Sequence, residues 1–254
     1  MAKIVVFDSG LGSISIIKEL KKIMKTDIVY FADQKNYPYG NKSQAQIASI
    51  IKKTINTLEK KFTPDVIVVA SNTPSLMLNL QTGKIIDVKP PLKLAQKKSK
   101  SKKIGILATK ASVNSKGLEN YVKENNIPKS YKIFKINGSN LVDLVESGKF
   151  LNNKKYCKKI IKKSLDDYII TEKIDVITLS STHLLFLKTL LEKEFPQVEF
   201  IDPGSLVAKK IFLKIKNKQS KRNSLKIFTS GNIINFKNKL NKIGIKNKIN
   251  YLST

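Results

Sequence analysis

Two strand-like runs of the sequence end in similar sets of polar side chains. They are DVIVVA, followed by Ser71, Asn72 and Thr73, and DVITL, followed by Ser180, Ser181, Thr182 and His183. Hydroxyl groups at such positions can cap the helix that follows or bind a carboxylate. His183 is the one histidine of the chain and can act as an acid or a base. The two strand ends are therefore candidates for opposite sides of one ligand cleft.

Two further polar turns contain glycine. FDSGLGS places Asp8 and Ser9 at a strand-to-helix turn, which taken alone is typical of a helix cap. Gly10 and Gly12 lack the GxGxxG spacing of a dinucleotide site, so the turn does not indicate nucleotide binding. The stretch NYPYGNKS by itself indicates only a loop.

The surrounding sequence alternates short apolar runs with amphipathic helical stretches. KIVVF precedes SISIIKELKKIMK, for example, and DIVYFA precedes QAQIASIIKKTINTLEKKF. This alternation is typical of parallel strands joined by crossover helices, whose ligands bind beyond the carboxyl ends of the strands. The pattern restarts after the Lys- and Ser-rich segment KLAQKKSKSKK, which predicts a domain boundary near residue 97. A long helical region is predicted over residues 140–171, and the strand in KIFTSG is expected to rejoin the first sheet.

Composition indicates a globular protein that needs no metal and no membrane anchor. The 254 residues are 41% hydrophobic, enough for one large core or two ordinary ones. The single cysteine, Cys157, cannot form an internal disulfide, and its helical stretch KKYCKKIIKK is typical of a packing role. The N-terminal apolar run is too short for a secretory signal, and no uncharged run is apolar enough to span a membrane. We therefore expect a cytoplasmic protein.

The chain is strongly basic, with 48 Lys+Arg residues against 19 Asp+Glu and a formal net charge of +29. Such a field attracts polyanions, including nucleic acid, and also small anionic ligands. Arg222 is the only arginine, so nearly all the cations lack the planar fork used for bidentate recognition. The charge therefore favours a solvated surface with non-specific polyanion binding over a dedicated nucleic-acid site.

Eight short motifs together resemble the glutamate racemases of the aspartate/glutamate racemase superfamily. In chain order they are FDSGLGS, YPYGNKS, VVASNTPS, GILATKASVNS, LVDLVESG, LSSTHLLFL, IDPG and IFTSG. Their order and spacing follow the family over essentially the entire chain, and they coincide with the strand ends described above. The resemblance implies a cofactor-independent isomerase of amino acid metabolism whose ligand is a small dicarboxylic amino acid of the glutamate or aspartate type.

The resemblance also implies a fold and a set of site residues. It implies an α/β protein of two pseudo-symmetric domains, each a mostly parallel sheet flanked by helices, with the ligand cleft between them. Residues 1–97 with 206–254 would form the first domain, and residues 98–205 the second. The positions that match substrate contacts are Asp8, Ser9, Tyr39, Gly40, Asn72, Thr73, Ser112, Thr182 and His183. Asp8, Glu146 and His183 match groups that assist the family's catalytic bases; no metal is implied, and a homodimer stays open.

The sequence departs from the family at its two catalytic cysteines, which act on opposite faces of the substrate α-carbon. Ser71 and Ser181 stand at the matching positions, and Ser180 stands where the family usually has glycine. A thiol, with an unperturbed pKa of about 8.5, can be tuned to accept and return a proton. A serine hydroxyl is far less acidic and needs an adjacent base, for which His183 beside Ser181 and Asp8 beside Ser71 are the candidates.

Three functions are compatible with these residues. One is an amino-acid racemase or divergent isomerase that uses the two serines in an altered arrangement. Another is a catalytically inactive sensor or regulatory protein that still binds a dicarboxylate. The third is a basic nucleic-acid-associated protein that uses the racemase fold only as a scaffold. The matching ligand positions favour retained binding of a small acid, whereas the two missing thiols argue against ordinary glutamate racemisation.

Overall fold

The structure is a computed structural model that describes residues 2–78, 80, 83–218, 220 and 222–254. In chain order its elements are β1 (Lys3–Asp8), α1 (Ser13–Ile23), β2 (Asp27–Ala32), α2 (Gln44–Phe62), β3 (Val66–Val69), α3 (Asn72–Met77), β4 (Ile85–Asp87), α4 (Leu92–Lys98), β5 (Lys103–Ala108), α5 (Lys110–Val113), α6 (Lys116–Glu124), β6 (Lys132–Asn137), α7 (Ser139–Glu146), α8 (Lys149–Asn152), α9 (Lys154–Asp166), β7 (Val176–Leu179), α10 (Lys188–Glu194), β8 (Glu199–Ile201), α11 (Gly204–Ile215), β9 (Ser224–Thr229), α12 (Ile233–Lys242) and β10 (Ile249–Tyr251).

The chain divides into two compact units, Met1–Val88 with Gly204–Thr254 and Lys89–Pro203. The described part of the first unit holds a sheet of order β10-β9-β2-β1-β3-β4, and that of the second a sheet of order β6-β5-β7-β8. Every neighbouring pair of strands is parallel. The prediction of mostly parallel sheets flanked by helices is confirmed, and β9 joins the first sheet beside β2 as expected.

The two units repeat one strand order. Four adjacent strands of the first sheet, β2-β1-β3-β4, have the same order as β6-β5-β7-β8 in the second. Equivalent backbone hydrogen bonds hold the ends of the third strands: the Ala70 N–H donates to the Phe7 carbonyl, and the Ser180 N–H to the Leu107 carbonyl, each at 2.8 Å. The polar residues after β3 and β7 therefore occupy equivalent places in their units.

Helix α2 illustrates how the amphipathic stretches form and pack. Ser43 Oγ accepts the Gln46 N–H at 3.3 Å, and Gln46 Oε1 accepts the Ser43 N–H at 2.9 Å, so a capping box begins the helix. Ile47, Ile51 and Leu58 lie on its buried face in the core cluster of the first sheet. Full burial of each such side chain stabilises the fold by about 1.5–3 kcal/mol.

Asp175 fastens the beginning of β7 in the second unit. Its carboxylate accepts hydrogen bonds from Ser99 Oγ at 2.7 Å, from the Lys100 N–H at 2.7 Å, and from the N–H and Oγ of Ser101 at 2.8 and 2.7 Å. Burial acts to raise the pKa of Asp175, but the hydrogen bonds outweigh it and lower that pKa below its ordinary value. The segment between α4 and β5 is thereby tied to the central strand.

The compact units divide the chain at other residues than the predicted domains do. Helix α4 lies in the second unit, where it packs against β7, although the predicted boundary near residue 97 assigns most of it to the first domain. Its apolar residues join the core of the second sheet, since Ala95 contacts the cluster that contains Ile104 and Val176. The domain limits of the sequence analysis stay a prediction.

The predicted helical region over residues 140–171 is divided into three α-helices and a π-helical turn. Helix α7 ends before Gly148, whose φ of +73° is a left-handed conformation that favours glycine. Asn153 then begins α9 by accepting the Tyr156 N–H on its side chain at 3.1 Å. Among the helices of the described residues, none combines the length and the apolar composition that crossing a bilayer requires.

Candidate functional site

Asp8 ends β1 and organises the turn into α1. Its Oδ1 accepts the Gly10 N–H and its Oδ2 accepts the Ser13 N–H, each at 3.0 Å. Asp8 is 1% exposed and Ser9 6%. The carboxylate therefore has the local structural role that its sequence context favours, and that role also holds it at the carboxyl end of the sheet.

Tyr39 and Gly40 lie in a 3-10 turn, Tyr39–Asn41, beyond the end of β2. The buried Tyr39 hydroxyl donates a hydrogen bond of 2.9 Å to Oδ2 of Asp33, the residue that follows β2 by one position. Burial raises the pKa of the Tyr39 phenol well above its ordinary value, and the negative charges of Asp33 and Asp8 raise it further. Asp8, Asp33 and Tyr39 therefore share one electrostatic environment.

The end of β3 carries an amide without partners. Ser71 has an extended backbone, with φ −142° and ψ 126°, and its side chain does not cap α3. Asn72 begins that helix and is 2% exposed, and neither its Oδ1 nor its Nδ2 has a hydrogen-bond partner among the described residues. A buried polar group left unpaired costs about 1–3 kcal/mol. The site therefore lacks one donor and one acceptor, which a bound ligand can supply.

The end of β7 repeats this geometry. Ser181 has φ −145° and ψ 130°, within a few degrees of Ser71, and it likewise does not cap the 3-10 helix Thr182–Leu187 that follows. His183 Nε2 lies 2.8 Å from Oε1 of Glu146, the last residue of α7, and both side chains are less than a tenth exposed. This buried pair places an acid–base couple two residues from Ser181.

Ser112 and Ser180 are held by neighbouring hydroxyl groups. The Ser112 Oγ lies 2.9 Å from Oγ1 of Thr109, which caps α5, and Ser112 is 1% exposed. The Ser180 Oγ lies 2.9 Å from Oγ1 of Thr178, inside the core. Thr178 thus satisfies the buried Ser180 hydroxyl group.

The predicted site residues collect at the carboxyl ends of the central strands within each unit. In the first unit they are Asp8, Ser9, Tyr39, Gly40, Ser71, Asn72 and Thr73, and in the second Ser112, Glu146, Ser181, Thr182 and His183. Among the candidate bases, Asp8 accepts the Gly10 and Ser13 N–H groups, and His183 Nε2 pairs with Glu146. Their roles toward a ligand stay a prediction.

Asp33 belongs with these residues, and the sequence analysis missed it. It could have been predicted from the sequence, because an acidic residue directly follows the strand-like run DIVYFA, as Asp8 ends the first strand. For a metal site, by contrast, the described residues offer no group of three or more His, Cys, Asp or Glu side chains.

Comparison with known proteins extends the motif-based resemblance. No protein-family model matches the chain. A glutamate racemase of Buchnera aphidicola from Schizaphis graminum is 30% identical over 228 residues, which are 87% of this chain and 88% of the relative. The chain belongs to the glutamate racemase family. The resemblance seen in the eight motifs is confirmed.

Solved structures of glutamate racemases share the fold. An isoform from Bacillus anthracis matches with a TM-score of 0.85 at 23% identity, covering 99% of this chain and 97% of that one. The Francisella tularensis enzyme, solved in complex with D-glutamate, matches with a TM-score of 0.82 at 24% identity and the same coverage. Because these structures are less than 25% identical to this chain, the match shows a shared fold and no more.

Proposed function

We propose that this family member binds a glutamate-type dicarboxylic amino acid. The Asn72 side chain carries the proposal. Its two polar atoms are buried and have no hydrogen-bond partner among the described residues, which is unfavourable, and a ligand that both donates and accepts hydrogen bonds would satisfy them. An amino acid offers ammonium donors and carboxylate acceptors. The D-glutamate bound to the Francisella relative is a ligand of this kind.

We further propose that racemisation is lost or greatly slowed. The reaction removes a weakly acidic α-proton on one face and returns a proton on the other, so it needs a base of suitable pKa on each face. Ser71 and Ser181 supply only hydroxyl groups, and the His183 imidazole pairs with Glu146. A serine hydroxyl is far less acidic than a thiol, so at neutral pH it stays protonated and is a poor acceptor for the α-proton.

A serine-dependent isomerase is the second candidate, and the Glu146–His183 pair favours it. A protein that only binds its ligand has no need of a buried carboxylate–imidazole couple two residues from the position of a catalytic thiol. This candidate requires a hydrogen bond between the imidazole and Ser181 in the ligand complex, and catalytic contacts often tighten only when substrate binds.

Calorimetric titration with the enantiomers of glutamate and aspartate, combined with α-proton exchange in heavy water, tests both candidates. Binding of one of these acids without α-deuteration is expected. Deuteration together with loss of optical rotation would establish the serine-dependent isomerase. If none of the acids binds, the binding proposal is wrong.

Restoring the thiols tests whether the rest of the site is intact. The double variant Ser71→Cys/Ser181→Cys is expected to gain exchange and racemisation, since each face then carries a tunable base. Each single variant is the matched control: one thiol allows exchange of one enantiomer without inversion. An inert double variant that still binds the ligand would show that the site has changed beyond the two cysteines.

Polyanion binding, the oligomeric state and the location of the protein stay predictions from the sequence. Non-specific polyanion binding is supported by the net charge of +29 alone. The homodimer and the cytoplasmic location of the protein stay predictions as well, and sedimentation of the purified protein tests the former.

A further inference from the structure

Asp33 joins the turn that carries Tyr39 to the C-terminal part of the chain. Its Oδ2 accepts the Tyr39 hydroxyl at 2.9 Å, and its Oδ1 accepts the Ser230 hydroxyl at 3.0 Å. The Asn36 Nδ2 lies 3.0 and 2.9 Å from the two oxygens. Asp33 is fully buried, so its carboxylate depends on these donors in place of water.

The segment after β9 is built to reach Asp33. Ser230 Oγ also accepts the Lys35 N–H at 3.1 Å, and the Thr229 hydroxyl donates to Gln34 Oε1 at 3.1 Å. A Cβ on Gly231 would lie 2.7 Å from the Gln34 Cβ, so only glycine permits this close approach. The motif IFTSG, whose role the sequence leaves unassigned, therefore packs directly against the residues that follow β2.

We propose that Asp33 and Ser230 are positioning residues that hold the Tyr39–Gly40 turn in the conformation that binds the ligand. The inference rests on the proposed binding function. Because the Tyr39 hydroxyl already donates to Asp33 and is buried, the contribution of Tyr39 is to fix the turn and not to offer its hydroxyl to the ligand. A preorganised turn raises affinity because binding no longer has to order it.

Two substitutions perturb the hydrogen bonds of Asp33 with little change in side-chain volume. Asp33→Asn replaces one carboxylate oxygen by an NH2 group, which cannot accept a hydrogen bond. Whichever oxygen is replaced, the NH2 group then faces the Asn36 Nδ2 donor and one hydroxyl donor, Tyr39 at the Oδ2 position or Ser230 at the Oδ1 position. Ser230→Ala removes one donor. Ser224→Ala is the matched control, since Ser224 Oγ donates to Asp27 Oδ1 at 2.6 Å and links the same two strands at their opposite ends.

Calorimetric titration of the full chain with glutamate, beside urea unfolding of each variant, tests the proposal. We expect Asp33→Asn to weaken binding by about tenfold or more and Ser230→Ala by about three- to tenfold, since a hydrogen bond to a charged group is worth about that much or more. Ser224→Ala is expected to lose comparable stability and to keep wild-type affinity.

A double variant separates positioning from general destabilisation. If Asp33 acts through Tyr39, the double variant Asp33→Asn/Tyr39→Phe should have the same affinity for glutamate as the single variant with the lower affinity, because both changes break the same contact. Phenolate absorbance gives an independent signature. The titration of Tyr39 is obtained by subtracting the absorbance of the matching protein that carries Tyr39→Phe. This titration should move to lower pH in Asp33→Asn, because a carboxylate that helps to raise the pKa of this phenol is gone.

The outcomes distinguish this proposal from the one on which it rests. Wild-type affinity in both Asp33→Asn and Ser230→Ala would overturn the positioning role while leaving ligand binding established. Equal weakening by Ser224→Ala would also overturn it, because the effect would then follow stability. If the wild-type protein binds no dicarboxylic amino acid, the proposed function fails and the ligand role of the turn fails with it.

Discussion

Replacing Asn72 with leucine is expected to stabilise the ligand-free protein and to weaken ligand binding. The two side chains have the same branched shape, so Asn72→Leu removes a buried oxygen and a buried nitrogen and puts methyl groups in their place. Neither atom has a hydrogen-bond partner among the described residues. The substitution therefore breaks no contact in the ligand-free molecule but removes two that a ligand would make.

The expected magnitude follows from these two atoms. Each buried unpaired group costs about 1–3 kcal/mol, so removal of both should raise the free energy of unfolding by at least about 2 kcal/mol. For a protein of this size, about 2–4 °C of Tm accompanies each kcal/mol, which predicts a rise of roughly 4–8 °C. Each hydrogen bond lost to a charged ligand group should weaken binding by roughly 10- to 150-fold, so loss of even one of the two gives at least about a tenfold effect.

Thermal unfolding and calorimetric titration with glutamate measure the two effects. Thr54→Val is the matched control, because the Thr54 Oγ1 on α2 is also buried and unpartnered among the described residues. It should raise stability by about 1 kcal/mol or more, for the same reason, and leave the affinity for glutamate unchanged. A higher Tm together with a lower affinity for glutamate is therefore expected for Asn72→Leu and not for Thr54→Val.

Two results would refute this reasoning. A lower Tm for Asn72→Leu would mean that the amide is satisfied in the ligand-free protein, for instance by ordered water. Unchanged affinity would mean that Asn72 does not contact the ligand, and the observation that carries the proposed function would be lost.

Three further predictions concern the remaining ionisable groups. Asp175→Asn should lower the free energy of unfolding by about 1–3 kcal/mol at neutral pH. Because the folded pKa of Asp175 is lowered, its contribution is present above the ordinary aspartate pKa of about 4 and is lost as the pH falls toward the folded value. Urea unfolding at several pH values checks this, and a pH-independent difference contradicts it. Cys157 is fully buried and burial raises its thiol pKa, so alkylation of the native protein should be at least about a hundredfold slower than in urea; equally fast labelling would show that α9 opens readily. Binding to duplex and single-stranded DNA should vanish by physiological salt, as expected of the lysine-rich surface, and sequence-dependent binding that survives there would favour the nucleic-acid hypothesis.

Much of the fold could be predicted because its signals are local. The strands before Ser71 and Ser181 are VIVV and VITL, which are apolar except for Thr178, as buried parallel strands favour, and the helices between them repeat apolar residues at helical spacing. This alternation leaves few arrangements other than parallel sheets, and it places polar strand ends on one edge of each sheet. The sequence does not reveal to which unit α4 belongs, because its apolar residues could continue either unit; in the structure they pack against β7 and join the core of the second sheet.

The sequence by itself determined which residues end the strands, and that set contains nearly all of the candidate site. Only the tertiary structure decided their partners. Glu146 meets His183 across 37 residues of chain, and Ser230 meets Asp33 across 197. Such contacts follow from how helices and distant strands pack, which residue periodicity does not encode. The same is true of Asn72: that its amide has no hydrogen-bond partner among the described residues depends on the positions of all its neighbours in the fold.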